Sequence, residues 1–305
     1  MLKYRMAAAA LKLFSLNAAT RRSYRMLGNV VGGRGRARAV KPWYLARADA
    51  NLAFAERHGA IADGMQVMEL GTGWVHWESL FTRAFYEVEA VLFDVWDNRQ
   101  FEAFRFHAAE LRRHLPRLTH RPAEVRAKAD ALLGKVVACT SFEEAYALLG
   151  WRYVIEPQGR LDALAGSSID FAYSSDVMEH VPANTLPRLA ADFSRIVKPG
   201  GFVTQQIVMA DHLCLYDRSA HRKSYLRYDD ATWNRWFAND VQHMNRWQHS
   251  DFVRLFREAG FAIVAEDWIE QQDASALEIA PRWRDYDRKD LDAAVTRLLV
   301  SNTKE

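Results

Sequence analysis

Acidic residues are absent from the first 48 positions of this 305-residue chain, which hold eleven of its 41 lysines and arginines. The first acid is Asp49, and the later positions carry 30 basic and 38 acidic side chains, a net charge of −8. This basic arm (residues 1–48) suits an anionic membrane surface or RNA. An Arg-rich, acid-poor start is also typical of an organellar transit peptide. A helical arm packed on the body, with its charges solvated, is the remaining alternative.

Cysteines and long apolar runs are also scarce. Cys139 and Cys214 are the only two cysteines, and they form neither a metal-ligand spacing nor a disulfide framework. This favours a reducing compartment, so we expect a cytoplasmic protein. Because of its basic arm, we also expect that it can contact an anionic membrane peripherally. No run of about 18 uncharged apolar residues exists, so no membrane-spanning helix is expected. With 50% hydrophobic and 26% charged residues, the chain is neither disordered nor fibrous.

From about residue 64, short apolar runs alternate with amphipathic stretches, the pattern of an open α/β sheet. The predicted strands are residues 66–70, 90–94, 170–174, 202–208 and 261–265, and the clearest predicted helices are residues 183–197 and 249–259. Continuous apolar strands indicate a sheet covered on both faces. We therefore predict the basic arm followed by one domain over residues 49–305. The long interval after Asp94 predicts a helical insertion over about residues 98–150, expected as a cap on the carboxyl edge of the sheet.

A glycine turn follows the first predicted strand. Gly71 and Gly73 let the backbone approach a ligand closely, just before a helix whose N-terminal N–H groups are unpaired. The dinucleotide fingerprint G-x-G-x-x-G fails because position 76 is histidine. Glu69 precedes the turn and would oppose a pyrophosphate but suits a cationic ligand. Asp94 ends the second strand, where a carboxylate can accept hydrogen bonds from both ribose hydroxyls, so these residues favour an amine-bearing nucleoside.

Several ordered blocks together resemble the class I S-adenosylmethionine-dependent methyltransferases over about residues 60–300. The blocks are E-L-G-T-G at 69–73, Asp94, I-D-F-A-Y-S-S-D-V-M-E-H-V at 169–181, R-I-V-K-P-G-G at 195–201 and E-A-G-F at 258–261. The resemblance implies an α/β fold with a doubly wound, mostly parallel, seven-stranded Rossmann-like sheet, and S-adenosylmethionine as cofactor. The inserted helices, the E-H-V block at 179–181 and the later Asp211-His212 make the chain most similar to bacterial small-molecule and glycan methyltransferases of the type 11-like group.

The resemblance also assigns site residues. The implied cofactor-binding residues are Glu69, Gly71, Gly73, Asp94, Val95, Asp162, Ser174 and Ser175. Asp94 would bind the ribose, Val95 would pack on adenine, and the two serines would lie beside the sulfonium. Trp74 replaces a common third glycine, and Glu156 is a second choice to Asp162 as the adenine-side acid.

Methyl transfer to a hydroxyl needs alignment and removal of a proton. His180 and His212, which follow the fourth and fifth predicted strands, are the candidate catalytic bases, although His180 can instead hold its loop by a structural hydrogen bond. Asp211 and His221 are candidate substrate contacts. The cluster of Asp211, His212, Asp217 and His221 can alternatively bind a divalent metal, but our prediction is that no metal is used.

The sequence therefore predicts a methyltransferase that acts on a small-molecule or glycan-type acceptor, at oxygen. One alternative is methylation of RNA or another polyanion that docks on the basic arm. A catalytically inactive S-adenosylmethionine-binding regulator is a second alternative. We regard nucleic acid as the less favoured partner, and the sequence predicts no oligomeric state.

Overall fold

A computed structural model describes residues 1–304 as an α/β protein with one seven-stranded sheet. The strands are β1 (Gln66–Leu70), β2 (Glu89–Asp94), β3 (Trp151–Ile155), β4 (Ile169–Ser175), β5 (Val197–Val208), β6 (Phe261–Gln271) and β7 (Ala293–Asn302). Their order across the sheet is β3-β2-β1-β4-β5-β7-β6. β1 is parallel to β2 and to β4, and β2 is parallel to β3. The predicted seven-stranded, mostly parallel Rossmann-like sheet is confirmed.

Helices occupy the connections between strands and the whole of the basic arm. They are α1 (Leu2–Phe14), α2 (Ala18–Arg36), α3 (Pro42–Arg57), α4 (Trp77–Phe85), α5 (Phe101–His114), α6 (Ala123–Ala138), α7 (Phe142–Leu149), α8 (Leu186–Ile196), α9 (Asp230–Trp236), α10 (His249–Glu258) and α11 (Arg288–Asp292). Within residues 1–304, no helix is both long enough and apolar enough to cross a bilayer.

The contacts between residues divide the chain into two compact units. The glycine-turn unit comprises residues 29–175, 192–204 and the last described residues, from 301. The histidine unit comprises residues 1–28, 176–191 and 205–300.

The glycine-turn unit is built on β1, β2, β3 and β4. β1, β2 and β4 are buried on both faces, as their continuous apolar sequences predict, and Val67, Met68 and Leu92 are fully inaccessible. β3, at the edge of the sheet, is only partly buried. The predicted helical insertion consists of α5, α6 and α7. α6 packs against α4 and α5. That the insertion caps the carboxyl edge of the sheet stays a prediction.

The histidine unit has a separate aromatic core. The buried face of α1, formed by Tyr4, Ala8 and Leu11, packs into a cluster that includes Trp233 and Phe237. The Tyr4 and Phe237 ring centroids lie 5.5 Å apart. The first helix of the basic arm is therefore part of this core, and Trp233 packs α9 into it.

Four strands differ from the sequence prediction, and one of them, β6, continues to Gln271 instead of ending at residue 265. β5 begins at Val197 and so includes the Lys-Pro-Gly-Gly turn, in which Gly200 has a left-handed φ of +72°. Lys198 Nζ lies 2.6 Å from Asp170 Oδ1. A Cβ at Gly201 would lie 2.8 Å from the Asp170 carbonyl oxygen, so glycine permits this close approach. β3 and β7 were not located. The alanines, leucines and arginine of β7 have good helix propensity, and its burial between two strands overrides that preference.

Candidate active site

The glycine turn has the backbone conformation that its residues predict. Gly71 and Gly73 have φ angles of +73° and +61°, in the left-handed region that glycine adopts without strain. The Gly71 amide donates to the Phe93 carbonyl over 2.8 Å, which fastens the turn to the end of β2. A Cβ at Gly73 would meet no atom within 4 Å. The turn therefore leaves open space next to its backbone, where a ligand can approach.

Asp94 lies against this turn. Its Oδ2 accepts the Gly73 amide over 3.1 Å, and its Oδ1 accepts the Val95 amide over 2.8 Å. Burial raises the pKa of Asp94, and these backbone hydrogen bonds oppose the shift. Because a carboxylate oxygen can accept a second hydrogen bond, Asp94 is fixed in place and can still bind two hydroxyl groups.

Glu69 lies in β1, and its side chain is buried against the start of α4. Its Oε2 accepts the Ser79 amide over 3.1 Å and also the Ser79 hydroxyl, which lies 2.9 Å from the Tyr173 hydroxyl. Burial raises the pKa of Glu69 to about 8, although the hydrogen bonds from Ser79 act in the opposite direction. This oxygen therefore anchors the first turn of α4, and a cation nearby would favour ionisation of the carboxyl group.

His76 is a site residue to which the sequence analysis gave no role. It is fully buried with a left-handed φ of 46°, at the position where the dinucleotide fingerprint has glycine. Its Nδ1 lies 2.9 Å from Thr72 Oγ1, and its Nε2 lies 2.7 Å from the Tyr146 hydroxyl. Burial lowers the pKa of His76 to about 3. A neutral imidazole therefore fixes the end of the turn, at the position that the third glycine has in the dinucleotide fingerprint.

The basic arm also reaches the glycine turn. Trp74 Nε1 donates to Asn29 Oδ1 over 2.8 Å, and the Arg36 guanidinium lies 4.1 Å from the centre of the Trp74 ring. Arg36 Nε in turn donates to Gln100 Oε1 over 2.9 Å. The second part of α2 thus holds Trp74 by hydrogen bonding and cation–π stacking. The unusual Trp74 was a signal in the sequence, but no local pattern identified its partners.

The other predicted cofactor residues lie in the same unit. Ser174 is buried, and Ser175 Oγ accepts Asn51 Nδ2 over 2.9 Å. Asn51 Oδ1 is buried with no hydrogen-bond partner among the described residues. Such an acceptor is costly to bury unless a ligand supplies a donor. Asn51 was missed because it lies in α3, outside every motif.

The two candidate adenine-side acids lie in different surroundings. Asp162 is exposed, with its carboxylate 3.5 Å from Arg160. Glu156 directly follows β3, and its amide donates to the Asp94 carbonyl over 3.1 Å. Val95, the predicted adenine contact, is half-buried beside Asp94.

These residues fit a cationic nucleoside cofactor. Asp94 can accept two hydroxyl donors, Glu69 supplies a carboxyl group, and Asn51 Oδ1 is an unused buried acceptor that suits an ammonium donor. The space beside Gly73 allows a close approach to the backbone.

The histidine unit brings the two predicted catalytic histidines together. His180 ends a short 3₁₀ turn and His212 begins another, and their ring centroids lie 4.8 Å apart. His180 Nδ1 donates to the His243 carbonyl over 2.7 Å, so in the neutral ring Nε2 carries the lone pair. Desolvation lowers the pKa of His180, and desolvation together with the nearby His180 lowers the pKa of His212 to about 3. Both rings are therefore neutral at physiological pH.

A distant segment holds His180 in this position. Asn245 Nδ2 donates to the carbonyls of Met178 and Val181 over 2.8 and 2.9 Å, and the Asn245 amide donates to the Glu179 carbonyl over 2.9 Å. Together with the His243 carbonyl, these contacts fix the loop. Neither His243 nor Asn245 belongs to a motif, so the sequence did not identify them.

Asp211 and His221, the predicted substrate contacts, are both bonded within the unit. Asp211 is buried, and its two oxygens accept the Tyr4 hydroxyl over 2.6 Å and the Leu213 amide over 3.0 Å. Burial raises the pKa of Asp211 to about 6. His221 Nε2 donates to the Asp273 carbonyl over 3.0 Å, while its Nδ1 accepts the Lys223 amide.

One group of side chains in residues 1–304 has the composition and spacing of a metal site. Glu179, His180 and His212 place their ligand atoms within 4.8 Å of one another. Two imidazoles and a carboxylate can hold a divalent transition-metal ion. This group differs from the alternative cluster named from the sequence, of which it contains only His212.

A small pocket lies beside His212. Apolar side chains form most of its wall, with the imidazole and a carboxylate at one side: Leu11, Asp211, His212, Trp233, Phe237 and Met244. Its enclosed space is only about as large as one water molecule.

Comparison with known proteins gives one family match. The sequence profile described as "Methyltransferase domain" matches residues 43–266, more than half of the chain. No curated protein matches the sequence.

Solved structures similar to this chain include three methyltransferases. The Haemonchus contortus phosphoethanolamine N-methyltransferase 2 with S-adenosyl-L-methionine is 12% identical, with a TM-score of 0.46 over 84% of this chain and 53% of that chain. An S-adenosylmethionine-dependent methyltransferase from Methanosarcina mazei is 16% identical, with a TM-score of 0.46 over 82% of this chain and 98% of that chain. Geranyl diphosphate C-methyltransferase from Streptomyces coelicolor is 10% identical, with a TM-score of 0.45 over 83% of this chain and 79% of that chain.

Proposed function

The chain belongs to the class I S-adenosylmethionine-dependent methyltransferases, and we propose that it methylates a hydroxyl oxygen of a small-molecule or glycan-type acceptor. The paired neutral imidazoles of His180 and His212 carry this proposal. A neutral amine can attack a methyl donor without a base, whereas a hydroxyl must lose its proton as it reacts.

The glycine-turn unit would hold the cofactor. S-adenosylmethionine supplies an electrophilic methyl group on a sulfonium. Asp94 would accept the ribose hydroxyls, and Asn51 Oδ1 would accept the ammonium group. The carboxyl group of Glu69 would favour the positive charge, and Val95 would pack on the adenine with Asp162 or Glu156 as the polar partner. Ser174 and Ser175 would complete the site, and the backbone of Gly71 and Gly73 would line it.

The histidine pair would accept the hydroxyl proton. The hydrogen bond from Nδ1 to the His243 carbonyl leaves His180 Nε2 as the acceptor, and His212 lies next to it. Asp211 would act through Tyr4 and Leu213 by fixing the loop that carries His212, and His221 would contact the acceptor beyond it. Cys139 and Cys214 are both free, which supports a reducing compartment such as the cytoplasm.

Release of S-adenosylhomocysteine, measured over a panel of hydroxylated acceptors, amines and RNA, tests the proposal. We expect release with a hydroxylated small molecule or glycan, and a loss of about 10²- to 10⁴-fold in kcat/KM for His180→Ala and His212→Ala. The Kd for S-adenosylmethionine should stay unchanged in both variants. The matched control is His120→Ala, an exposed histidine of the other unit.

Three outcomes would contradict this assignment. Unchanged turnover in both variants would remove the histidine base. Release with RNA alone would favour the polyanion alternative, and cofactor binding without release on any acceptor would favour a regulator. Activity lost to a chelator and restored by a divalent ion would show that Glu179, His180 and His212 bind metal instead.

A further inference from the structure

The first helix of the chain has two apolar faces, and only one of them is used inside the protein. The inner face consists of Tyr4, Ala8 and Leu11, all buried in the aromatic core of the histidine unit. Leu2, Met6 and Leu13 are 74%, 63% and 63% exposed. Isolated exposed apolar residues are ordinary, but three on one short helix need an explanation.

The exposed side chains fall on one side of the helix. At 3.6 residues per turn, Leu2, Met6 and Leu13 project within about 40° of one another. They point about 180° away from Leu11. Leu16, which follows the helix, is also 71% exposed. The outer side of α1 is therefore a continuous apolar stripe and not a gap in an otherwise polar surface.

Basic residues border this stripe. Lys3 and Arg5 are both exposed, and on the same helical projection they lie on opposite sides of the stripe, about 100° and 60° from Leu2. No acidic residue occurs before Asp49 to compensate them. An apolar stripe with a basic residue on each side is the arrangement of a helix that lies in the plane of a membrane interface. The long stems of Lys3 and Arg5 let the apolar side chains enter the lipid while the charges stay at the headgroups.

The next helix repeats the pattern. Met26 and Leu27 of α2 are exposed, as are Val30 and Val31 one turn later. The helix contains five arginines and no acid. An RNA surface would not need the apolar residues, since RNA is bound by basic side chains with aromatic stacking. The apolar side chains favour lipid.

We propose that the outer face of α1, formed by Leu2, Met6 and Leu13 with Lys3 and Arg5, docks the protein on an anionic membrane surface. The inner face keeps α1 attached to the histidine unit, so the membrane contact is part of the folded protein. Headgroup charge supplies the attraction, and burial of the stripe at the acyl boundary adds to it. No segment of the chain needs to cross the bilayer for this contact.

Co-sedimentation of the full chain with vesicles tests the proposal. We expect binding to vesicles of phosphatidylcholine with 30% phosphatidylserine, weaker binding at high salt, and no binding to phosphatidylcholine alone. Deletion of the arm is unsuitable because it would remove Tyr4, Ala8 and Leu11 from the core. Substitutions on the outer face avoid this problem.

Two double variants separate charge from burial. Lys3→Glu with Arg5→Glu should weaken vesicle binding about thirtyfold or more. Met6→Gln with Leu13→Gln should weaken it about tenfold or more. The matched controls are Arg117→Glu with Lys128→Glu, and Val264→Gln with Ile269→Gln, which change exposed residues elsewhere. The controls should bind as the unchanged protein does, and all variants should keep their circular dichroism and cofactor Kd.

Other results would overturn the proposal. Absence of binding to anionic vesicles would exclude a membrane contact through α1. Binding by both outer-face variants that is as strong as that of the unchanged protein would exclude it as well. Binding of a 20-nucleotide RNA in place of vesicles would identify a nucleic-acid surface. A change in molecular mass at sedimentation equilibrium for Met6→Gln with Leu13→Gln, without vesicle binding by the original chain, would assign the stripe to contact between two copies.

Discussion

Burial shifts the pKa of an ionisable side chain in each unit, with opposite consequences for the pH dependence of stability. In the glycine-turn unit, burial raises the pKa of Glu69 to about 8. In the histidine unit, burial lowers the pKa of Lys223 to about 7, although its Nζ donates to Gln248 Oε1 over 2.9 Å and to the Ala293 carbonyl over 2.6 Å. Burial disfavours the charged form in both cases, so the carboxyl group binds a proton more strongly and the amine binds one less strongly.

The two units also differ in how they hold their functional groups. Backbone amides and the closely following Ser79 hold the acids of the glycine-turn unit. The histidines of the other unit are held by residues distant in sequence, such as His243, which accepts the hydrogen bond of His180. The acids of the glycine-turn unit are thus fixed by local backbone geometry, and the histidines of the histidine unit depend on long-range packing.

Glu69→Gln should give the largest effect, on the pH dependence of stability. The unfolded carboxyl group titrates near 4.5 and the folded one near 8, so the unfolding free energy of the original chain falls as pH rises through this range. The total contribution is on the order of 5 kcal/mol. Glutamine cannot titrate, so the variant should lose this slope in chemical denaturation between pH 5 and 9. An unchanged slope would show that Glu69 ionises normally.

Lys223→Met should remove a slope of opposite sign. The folded amine titrates near 7 and the unfolded one near 10.5, so Lys223 makes the protein less stable as pH falls through this interval. The pH-dependent change in unfolding free energy is also on the order of 5 kcal/mol. The acceptors that methionine leaves unpaired lower the stability of the variant by an amount that does not depend on pH. The same denaturation series, extended to pH 10, measures the pH-dependent change. If both variants changed the slope in the same direction, the contrast between the units would be wrong.

Asp94→Asn should separate the units by function. Loss of charge-assisted hydrogen bonds to the ribose should raise the Kd for S-adenosylmethionine about 100-fold or more. His212→Ala should leave this Kd unchanged and lower turnover. Calorimetric titration measures the Kd, and Asp97→Asn, an exposed acid three residues away, is the matched control. Equal affinity in Asp94→Asn and Asp97→Asn would remove Asp94 from the cofactor site.

Arg36→Ala should give the smallest effect. Removal of the guanidinium from the Trp74 ring costs about 1 kcal/mol and loosens the glycine turn, so cofactor affinity should fall about fivefold. Arg38→Ala, an exposed arginine of the same arm, is the control in the same titration. Identical Kd values for the two variants would show that the arm does not support the cofactor site.

The sequence alone determined the features that depend on neighbouring residues. Gly71 and Gly73 predicted the turn, and Asp94 was placed beside it, because turn conformation and strand ends are encoded locally. The alternation of apolar runs predicted the α/β sheet, and the ordered sequence blocks at residues 69–73, 169–181 and 195–201 carried the family resemblance. The alternation did not locate β7, because burial in the sheet overrides its local helix preference.

Only the tertiary structure decided which distant residues meet. The Tyr4 hydroxyl binds Asp211, 207 positions away, and His180 lies beside His212. Arg36 stacks on Trp74, which made part of the basic arm a support for the glycine turn. The basic charge of the arm was evident from composition. The composition did not show that one face of α1 packs in a core while the other is exposed, because the burial of Tyr4 depends on residues more than 200 positions later.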